Sequence, residues 1–275
     1  MEKKLSLIFI LIFLISIIGC SRPISKPNQK PIAMEKMDPV KPYGKSIPVL
    51  MYHSITYGKG NSNCVPIETF EEQMKYLKDN GYHTITLTDL YKYFMREEPI
   101  LEKSIVITFD DGHENNYTAM FPVIKKYNLK ATVFVITSHI DKNHKFMTSK
   151  QLLEMDKYGI DIESHTVNHD KLKSLSKDKQ LKTLIQSKKY LGKILNKEIN
   201  FFAYPGGAYN KSAISAVKEA GYTMAFTIDG RWSSWSSKND GMLSLHRINT
   251  SSFQDLNAFK IGISKDRKST RLNSS

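Results

Sequence analysis

Short apolar runs alternate with amphipathic helical segments along most of this chain, and this alternation constrains its fold more than any other feature. The runs are rich in valine, isoleucine and phenylalanine, as buried strands are. Strands separated by helices pair in parallel, because each crossover helix returns the chain to the same end of the sheet. We therefore predict one α/β domain built as a distorted (β/α) barrel, with an open doubly wound sheet as the alternative. The predicted strands are 47–53, 83–87, 104–110, 130–136, 160–165, 200–205, 223–228 and 243–249.

Titratable side chains stand at or just beyond the ends of several predicted strands. In a parallel barrel the carboxyl ends of the strands share one face, and the chemistry of such folds lies there. We therefore expect these side chains to converge on one site. In chain order they are His53, Asp110, Asp111, His165, His169, His246 and Arg247.

One carboxylate and two imidazoles from this set predict a catalytic metal site. Asp111 follows one strand, and His165 and His169 are four residues apart in "SHTVNH". A pair of histidines at this spacing is often without function, but "FDDG" at the end of another predicted strand strengthens the prediction. Three protein ligands leave open positions, as a hydrolytic site needs. Neighbours on a strand point to opposite sides, so Asp110 can act as general base on water while Asp111 binds the metal.

The segments "TFDDG", "SHTVNH" and "FAYPGGAYN" together resemble the polysaccharide deacetylase family, carbohydrate esterase family four, with its NodB-type domain. The opening "VLMYHSI" and the closing "LHRINT" resemble the branch that removes acetyl groups from poly-N-acetylglucosamine. The resemblance extends over about residues 47–250. It implies hydrolysis of the N-acetyl group of an amino sugar with a divalent metal, most often zinc. Cobalt, nickel and iron also suit such ligands.

The resemblance also implies roles for individual residues. Asp110 matches the catalytic base of the family, and Asp111, His165 and His169 match its metal ligands. Pro205 and Gly206 match the segment that lines the acetyl pocket and forms the oxyanion hole. His53 matches the general acid of the poly-N-acetylglucosamine branch, and an imidazole is suited to protonating an amine leaving group.

The chain departs from the family pattern beside the Pro-Gly segment. Many members carry an arginine before it that orients the base, but Tyr204 stands here. We expect Arg247 to take that role from the last strand, with Tyr204 in the substrate site. Gly206 stands where an aromatic residue is common. His246 is the alternative general acid, and Trp232 is predicted either to stack on a sugar ring or to pack internally.

The ends of the chain predict export and lipidation. "MEKK" precedes the apolar run "LSLIFILIFLISII", and "IIGCS" resembles a bacterial lipobox with Cys20 as the lipidated residue. A plain signal peptide or an uncleaved anchor is the alternative. We predict a signal peptide over 1–20, a tether rich in proline and lysine over 21–46, and the catalytic domain over 47–263. Residues 264–275 are expected to be a disordered tail, and they resemble a translated cloning adaptor.

The net charge of +13 comes mainly from lysines spread along the chain. A solvated surface explains it most simply, anionic wall polymers or lipid head groups are the expected partners, and export argues against nucleic acid. The chain lacks the "GxSxG" motif of serine hydrolases and the "HExxH" motif of zinc peptidases, which argues against those classes of hydrolase. The predicted protein is a monomeric enzyme at the bacterial cell surface that acts on N-acetylglucosamine polysaccharide. The alternative is a catalytically inactive glycan-binding surface lipoprotein.

Overall fold

The paired strands of this protein are parallel, as the alternation of strands and helices predicts. The computed structural model describes residues 46–58, 61, 63–228, 235–250 and 255–264. Cys20, the signal peptide, the tether except for Ser46 and the tail except for Ser264 lie outside these residues. The strands are β1 (Val49–Tyr52), β2 (Ser54–Ile55), β3 (Cys64–Val65), β4 (His83–Thr84), β5 (Ser104–Phe109), β6 (Thr132–Val135), β7 (Asp161–Ser164), β8 (Phe201–Ala203), β9 (Met224–Phe226) and β10 (Ile248–Asn249).

The main sheet curves until its two edges meet. Its eight strands follow the order β10-β1-β5-β6-β7-β8-β9, with β4 paired to the start of β5. A parallel bridge between Phe226 and Leu245 joins the β9 edge to the segment that leads into β10. On the other side β10 pairs with β1, with Ile248 level with Leu50. The distorted (β/α) barrel is therefore confirmed.

Helices cover the outer face of the sheet and connect its strands. They are α1 (Ile67–Asp79), α2 (Leu87–Arg96), α3 (Phe121–Tyr127), α4 (Ser149–Tyr158), α5 (Lys177–Leu195), α6 (Lys211–Glu219) and α7 (Leu256–Ser264). Both α2 and α4 begin at a threonine that forms a capping box, and Gly159 ends α4 in the left-handed conformation. Within the described part of the chain, no helix has the length and apolar character needed to cross a bilayer.

The helical segment over residues 116–127 consists of two parts. Residues Asn116–Met120 form a π-helical turn, and α3 continues from Phe121. Pro122 lies in the first turn of α3, directly after the π-helical turn. The π-helical turn begins three residues after the "DDGH" sequence ends, so the irregular backbone is close in sequence to the predicted site.

Side chains on each strand alternate between the helix-covered face and the barrel interior. On β5, Ile107 and Phe109 belong to the core cluster that packs against the helices, whereas Val106 belongs to a second cluster with Phe226 and Leu245. On β1, Tyr52 contacts Phe70 of α1. The residue that follows the last helix-facing residue of each strand therefore faces the barrel interior. Asp110 and His53 are in this position.

Candidate active site

The carboxyl ends of β1, β5 and β7 bring His53, Asp110 and His165 into the barrel interior. Each follows a residue that faces the helices: Tyr52 precedes His53, and Phe109 precedes Asp110. Ser164 precedes His165 and bonds to Ser187 of α5. The three side chains interact electrostatically with one another. The predicted convergence of the strand ends is therefore what the structure shows.

Asp111, His165 and His169 form the predicted cluster of metal-ligating groups. Their donor atoms all lie within 4.8 Å of one another. Oδ1 of Asp111 is 3.5 Å from Nε2 of His165 and 3.5 Å from Nε2 of His169. This oxygen is buried and has no hydrogen-bond partner. A buried carboxylate oxygen is costly when unpaired, so a cation between the three groups would satisfy it.

The hydrogen bond of His165 leaves the correct ring nitrogen available. Its Nδ1–H donates to the carbonyl oxygen of Ala203 at 2.8 Å. The lone pair of the neutral ring is then on Nε2, which faces Asp111. A backbone acceptor on the second nitrogen is the usual support of a metal-binding histidine. The donor set therefore fits a divalent metal, with His and Asp ligands of the kind that zinc prefers.

The backbone at this cluster adopts conformations that residues other than glycine rarely take. The φ angle is +73° at Asp111, +68° at Thr166 and +61° at His169. Such angles cost of order 1–3 kcal/mol each and concentrate at functional sites. β5 ends at Phe109, and the positive φ of Asp111 confirms that it is not a strand residue. The prediction that strand alternation separates the two aspartates is wrong, because a left-handed turn separates them instead.

Arg247 holds Asp110 by two parallel hydrogen bonds. Its Nη1 and Nη2 donate to Oδ1 and Oδ2 of Asp110, each at 2.7 Å, and both side chains are buried. Nη1 also donates to Thr108 at 3.1 Å, and the guanidinium lies 5.5 Å from the ring centre of Phe134. Burial alone would raise the pKa of Asp110, but Arg247 and His165 outweigh it and hold that pKa below its ordinary value. Asp110 is thus an ionised carboxylate in a buried position.

Arg247 reaches Asp110 from lower in the barrel than the sequence predicts. The predicted strand 243–249 would place Arg247 within it, but β10 begins at Ile248. The register puts Ile248 level with Leu50, so Arg247 lies below the strand ends and its side chain extends upward. The placement of Arg247 at a strand's carboxyl end is therefore wrong, although its predicted contact with the base is present.

His53 and His246 occupy different environments. His53 interacts electrostatically with Asp110, Asp111 and Arg247. Burial lowers the pKa of His53, and the two carboxylates oppose this shift. His246 instead has its Nδ1 3.2 Å from Asp240. His53 therefore lies within electrostatic range of the predicted base.

Two asparagines fix the chain around His53. Asn116 Nδ2 donates to the carbonyl oxygen of His53 at 2.8 Å. Asn115 donates to Ser54 Oγ at 2.6 Å and accepts from the N–H of Ile55 at 3.1 Å. Sequence reasoning gave neither asparagine a role. Their signal was present in "GHENN", directly after the two aspartates.

The predicted substrate residues divide into three groups. Tyr204 is fully buried, packs against Phe202, and donates its hydroxyl to the carbonyl oxygen of Leu243 at 3.0 Å. It is a core residue, because it directly follows β8 and belongs with Phe202 to the core cluster that packs against the helices, and its prediction as a substrate contact is wrong. Pro205 is buried, and Gly206 is exposed at φ +61°. Trp232 lies outside the described residues.

His113 contacts the metal-ligand cluster and was missed by sequence reasoning. Its Nε2 is 3.2 Å from Oδ2 of Asp111. Burial alone would raise the pKa of Asp111, but His113 and His165 lower it far below its ordinary value. The available signal was the histidine that follows "DDG" directly.

The family model, the sequence relatives and the solved structures that resemble this chain are all described as deacetylases. The model of the family described as polysaccharide deacetylase matches residues 97–225. A Bacillus subtilis (strain 168) protein, YxkH, named as a polysaccharide deacetylase by similarity, is 37% identical over 240 residues, which are 85% of this chain and 84% of that protein. The poly-beta-1,6-N-acetyl-D-glucosamine N-deacetylase of Staphylococcus aureus (strain MSSA476) is 33% identical over 173 residues, 58% of this chain and 59% of that one. The Streptococcus pyogenes deacetylase PplD, solved with acetate, has a TM-score of 0.75 and 31% identity, covering 83% of this chain and 100% of its own.

Proposed function

This chain belongs to the polysaccharide deacetylase family, and from that premise we propose that it is a metal-dependent hydrolase that removes N-acetyl groups from N-acetylglucosamine-containing polysaccharide at the cell surface. One observation carries the proposal. The buried, unpartnered Oδ1 of Asp111 lies 3.5 Å from two imidazole nitrogens, directly beside an ionised Asp110. An ion pair with a purely structural role would not need an unpartnered carboxylate oxygen between two imidazoles.

Asp111, His165 and His169 would hold the metal. When bound, a divalent metal supplies Lewis acidity that polarises the acetyl carbonyl and makes water easier to deprotonate. Zinc suits this donor set, and cobalt, nickel and iron remain the alternatives. The buried ring of His165 and its bond to Ala203 keep the ligands in place before substrate arrives.

Asp110 would take the proton from the attacking water. A carboxylate has about four lone-pair positions, so the two bonds from Arg247 leave room for a further hydrogen bond. Arg247 keeps Asp110 ionised and fixes its plane. From the position directly before β10, Arg247 would perform the orienting role that an arginine before the Pro-Gly segment has in many family members.

His53 would give a proton to the amine as the C–N bond breaks. Its ring lies in the electrostatic range of Asp110 and Asp111, and Asn116 holds its backbone. The exposed Gly206 would offer its N–H to the developing oxyanion. A side chain at Gly206 would adopt φ +61° under strain, so glycine is the suitable residue there.

The substrate class comes from the relatives. The Staphylococcus aureus relative is named for poly-beta-1,6-N-acetyl-D-glucosamine, and its match covers 59% of its length. We propose the same polymer or a cell-wall glycan for this chain. The lipobox-like sequence at Cys20 supports anchoring to the bacterial membrane, and the excess of lysine supports contact with anionic wall polymers. We propose that the protein acts as a monomer and binds no nucleic acid.

Acetate release from N-acetylglucosamine oligomers and from peptidoglycan tests the proposal. The purified, zinc-loaded protein is compared with Asp110→Asn and with a chelated sample. Release that disappears in both controls is expected, and the preferred polymer identifies the substrate class. A folded, metal-loaded protein that releases no acetate from any polymer would instead support the inactive glycan-binding lipoprotein.

A further inference from the structure

Asp111 presents its two carboxylate oxygens to different groups. Oδ1 faces Nε2 of His165 and Nε2 of His169 and is otherwise unpartnered. Oδ2 lies on the other side, 3.2 Å from Nε2 of His113. Because a carboxylate oxygen can only accept, the ring of His113 donates this hydrogen bond. The two oxygens are therefore not equivalent before any metal binds.

The ring of His113 is held by a stack of aromatic rings. It stacks on Phe146 with the ring centres 5.2 Å apart and the planes 23° apart. Phe146 also stacks on His139, with the centres 4.2 Å apart. Stacked rings resist rotation about χ2, so the stack fixes the direction in which Nε2 of His113 points.

The backbone on both sides of this stack is joined by hydrogen bonds. His113 and Phe146 form an antiparallel bridge. The N–H of Glu114 donates to the carbonyl oxygen of Lys145 at 2.8 Å, and the N–H of Met147 donates to that of Gly112 at 3.0 Å. These bonds tie the turn that carries Asp111 to the loop that carries Phe146. The position of His113 relative to Asp111 is thus set by a fixed frame.

We propose that His113 is a positioning residue of the metal site, which keeps Oδ2 of Asp111 occupied so that only Oδ1 is offered to the metal. The inference rests on the proposed function, because it assumes that the cluster holds a metal. A carboxylate free to rotate could bind through both oxygens and fill a coordination position that water or substrate needs. Mutation of a residue that holds a metal ligand in this way commonly lowers metal affinity about 10- to 100-fold.

Titration with Co²⁺ tests the inference without measuring catalysis. The full chain is compared with His113→Ala, His113→Gln and Phe146→Ala, with folding checked by circular dichroism. We expect His113→Ala to weaken Co²⁺ binding about 10- to 100-fold and to change its visible absorption, which reports coordination number. The glutamine variant retains an N–H near the position of Nε2 and should recover most of the affinity. Phe146→Ala leaves His113 in place but unsupported and should fall between His113→Ala and the parent.

Two further variants separate this inference from the proposed function. His144→Ala removes an exposed histidine from the same loop and should behave as the parent does. His165→Ala should abolish binding at the site. If His113→Ala keeps the parent's affinity and spectrum while His165→Ala loses both, the inference is wrong and the metal site stands. If the parent binds no Co²⁺ in a manner that depends on His165, both are overturned.

Discussion

Asp110 and Arg247 form a buried ion pair in which each half compensates the other. Removing one partner of such a pair leaves an uncompensated charge in the interior and costs about 3–5 kcal/mol. We predict that Asp110→Asn lowers deacetylation about 10²- to 10⁴-fold, since the general base is lost. It should also lower the free energy of unfolding, because Arg247 keeps its charge with only an amide beside it. Acetate release and urea denaturation measure the two effects separately.

The double variant Asp110→Asn/Arg247→Met is the control for this prediction. It removes both charges, and an apolar replacement of a buried pair is often neutral or stabilising. Its unfolding free energy should therefore exceed that of Asp110→Asn, while its activity stays low. If the single variant is as stable as the parent, the pair does not compensate in the way we describe.

His53 and His246 can be distinguished by kinetics. We predict that His53→Gln lowers kcat about 10²- to 10⁴-fold with little change in KM, because it removes a proton donor that acts in the transition state. His246→Gln should stay near the parent, since its Nδ1 lies 3.2 Å from Asp240. Both variants should retain metal, which elemental analysis checks. A larger loss in His246→Gln than in His53→Gln would reverse the assignment of the acid.

At the residue scale, the sequence predicts which residues form the site better than it predicts where their side chains point. Asp111, His165 and His169 could be chosen because their types and spacing suit a metal. The left-handed backbone at Asp111 and His169 could not be predicted. Aspartate and histidine adopt positive φ more often than most residue types, but only a small fraction of them do so. Tyr204 could have been excluded, because the alternation along the predicted strand 200–205 places it with Phe202 on the helix-covered face. The bond between His113 and Asp111 depends on the turn between them, which no local pattern specifies.

At the scale of elements, the alternation of apolar runs and helices predicted the parallel barrel. The observed strands are shorter than predicted, because apolar residues continue past the last sheet hydrogen bond into the loops. The predicted strand 243–249 shows this, since Leu245 forms only a bridge to Phe226 and β10 starts at Ile248. The π-helical turn Asn116–Met120 was not predicted, since its sequence has ordinary helical character.

The start of α2 allows a prediction of stability that should not affect activity. Thr86 Oγ1 accepts from the N–H of Asp89 at 3.0 Å, and the Asp89 side chain accepts from the N–H of Thr86 at 3.0 Å. We predict that Thr86→Ala lowers the unfolding free energy by about 1 kcal/mol, the usual value of an N-cap. Thr86→Ser keeps the hydroxyl and should recover most of the loss. Urea denaturation measures both, and a serine variant as unstable as the alanine variant would argue against the cap.

At the scale of the whole molecule, the barrel encloses acidic side chains that are stabilised in different ways. Asp110 is balanced by Arg247 through two direct hydrogen bonds. Glu163 on β7 is buried, and it accepts from the N–H groups of Asn200 and Phe201 at 3.0 and 2.8 Å. No arginine reaches Glu163 in the described residues. An ion-paired acid such as Asp110 makes the free energy of unfolding rise with pH. Glu163 should instead make it fall as pH rises.

Burial is the largest influence on Glu163 and raises its pKa well above the ordinary value, with Asp161 adding to the shift and Lys197 opposing it. The folded state therefore keeps a proton that the unfolded chain loses, so this contribution to stability falls as pH rises from the ordinary glutamate pKa toward the raised one. Glu163→Gln removes the proton equilibrium and keeps an acceptor oxygen. We predict that the variant gains unfolding free energy relative to the parent between pH 5 and pH 8, measured by urea denaturation, while Glu72→Gln on the exposed side of α1 shows no such gain. A difference between Glu163→Gln and the parent that is the same at both pH values would show that Glu163 is ionised in the fold.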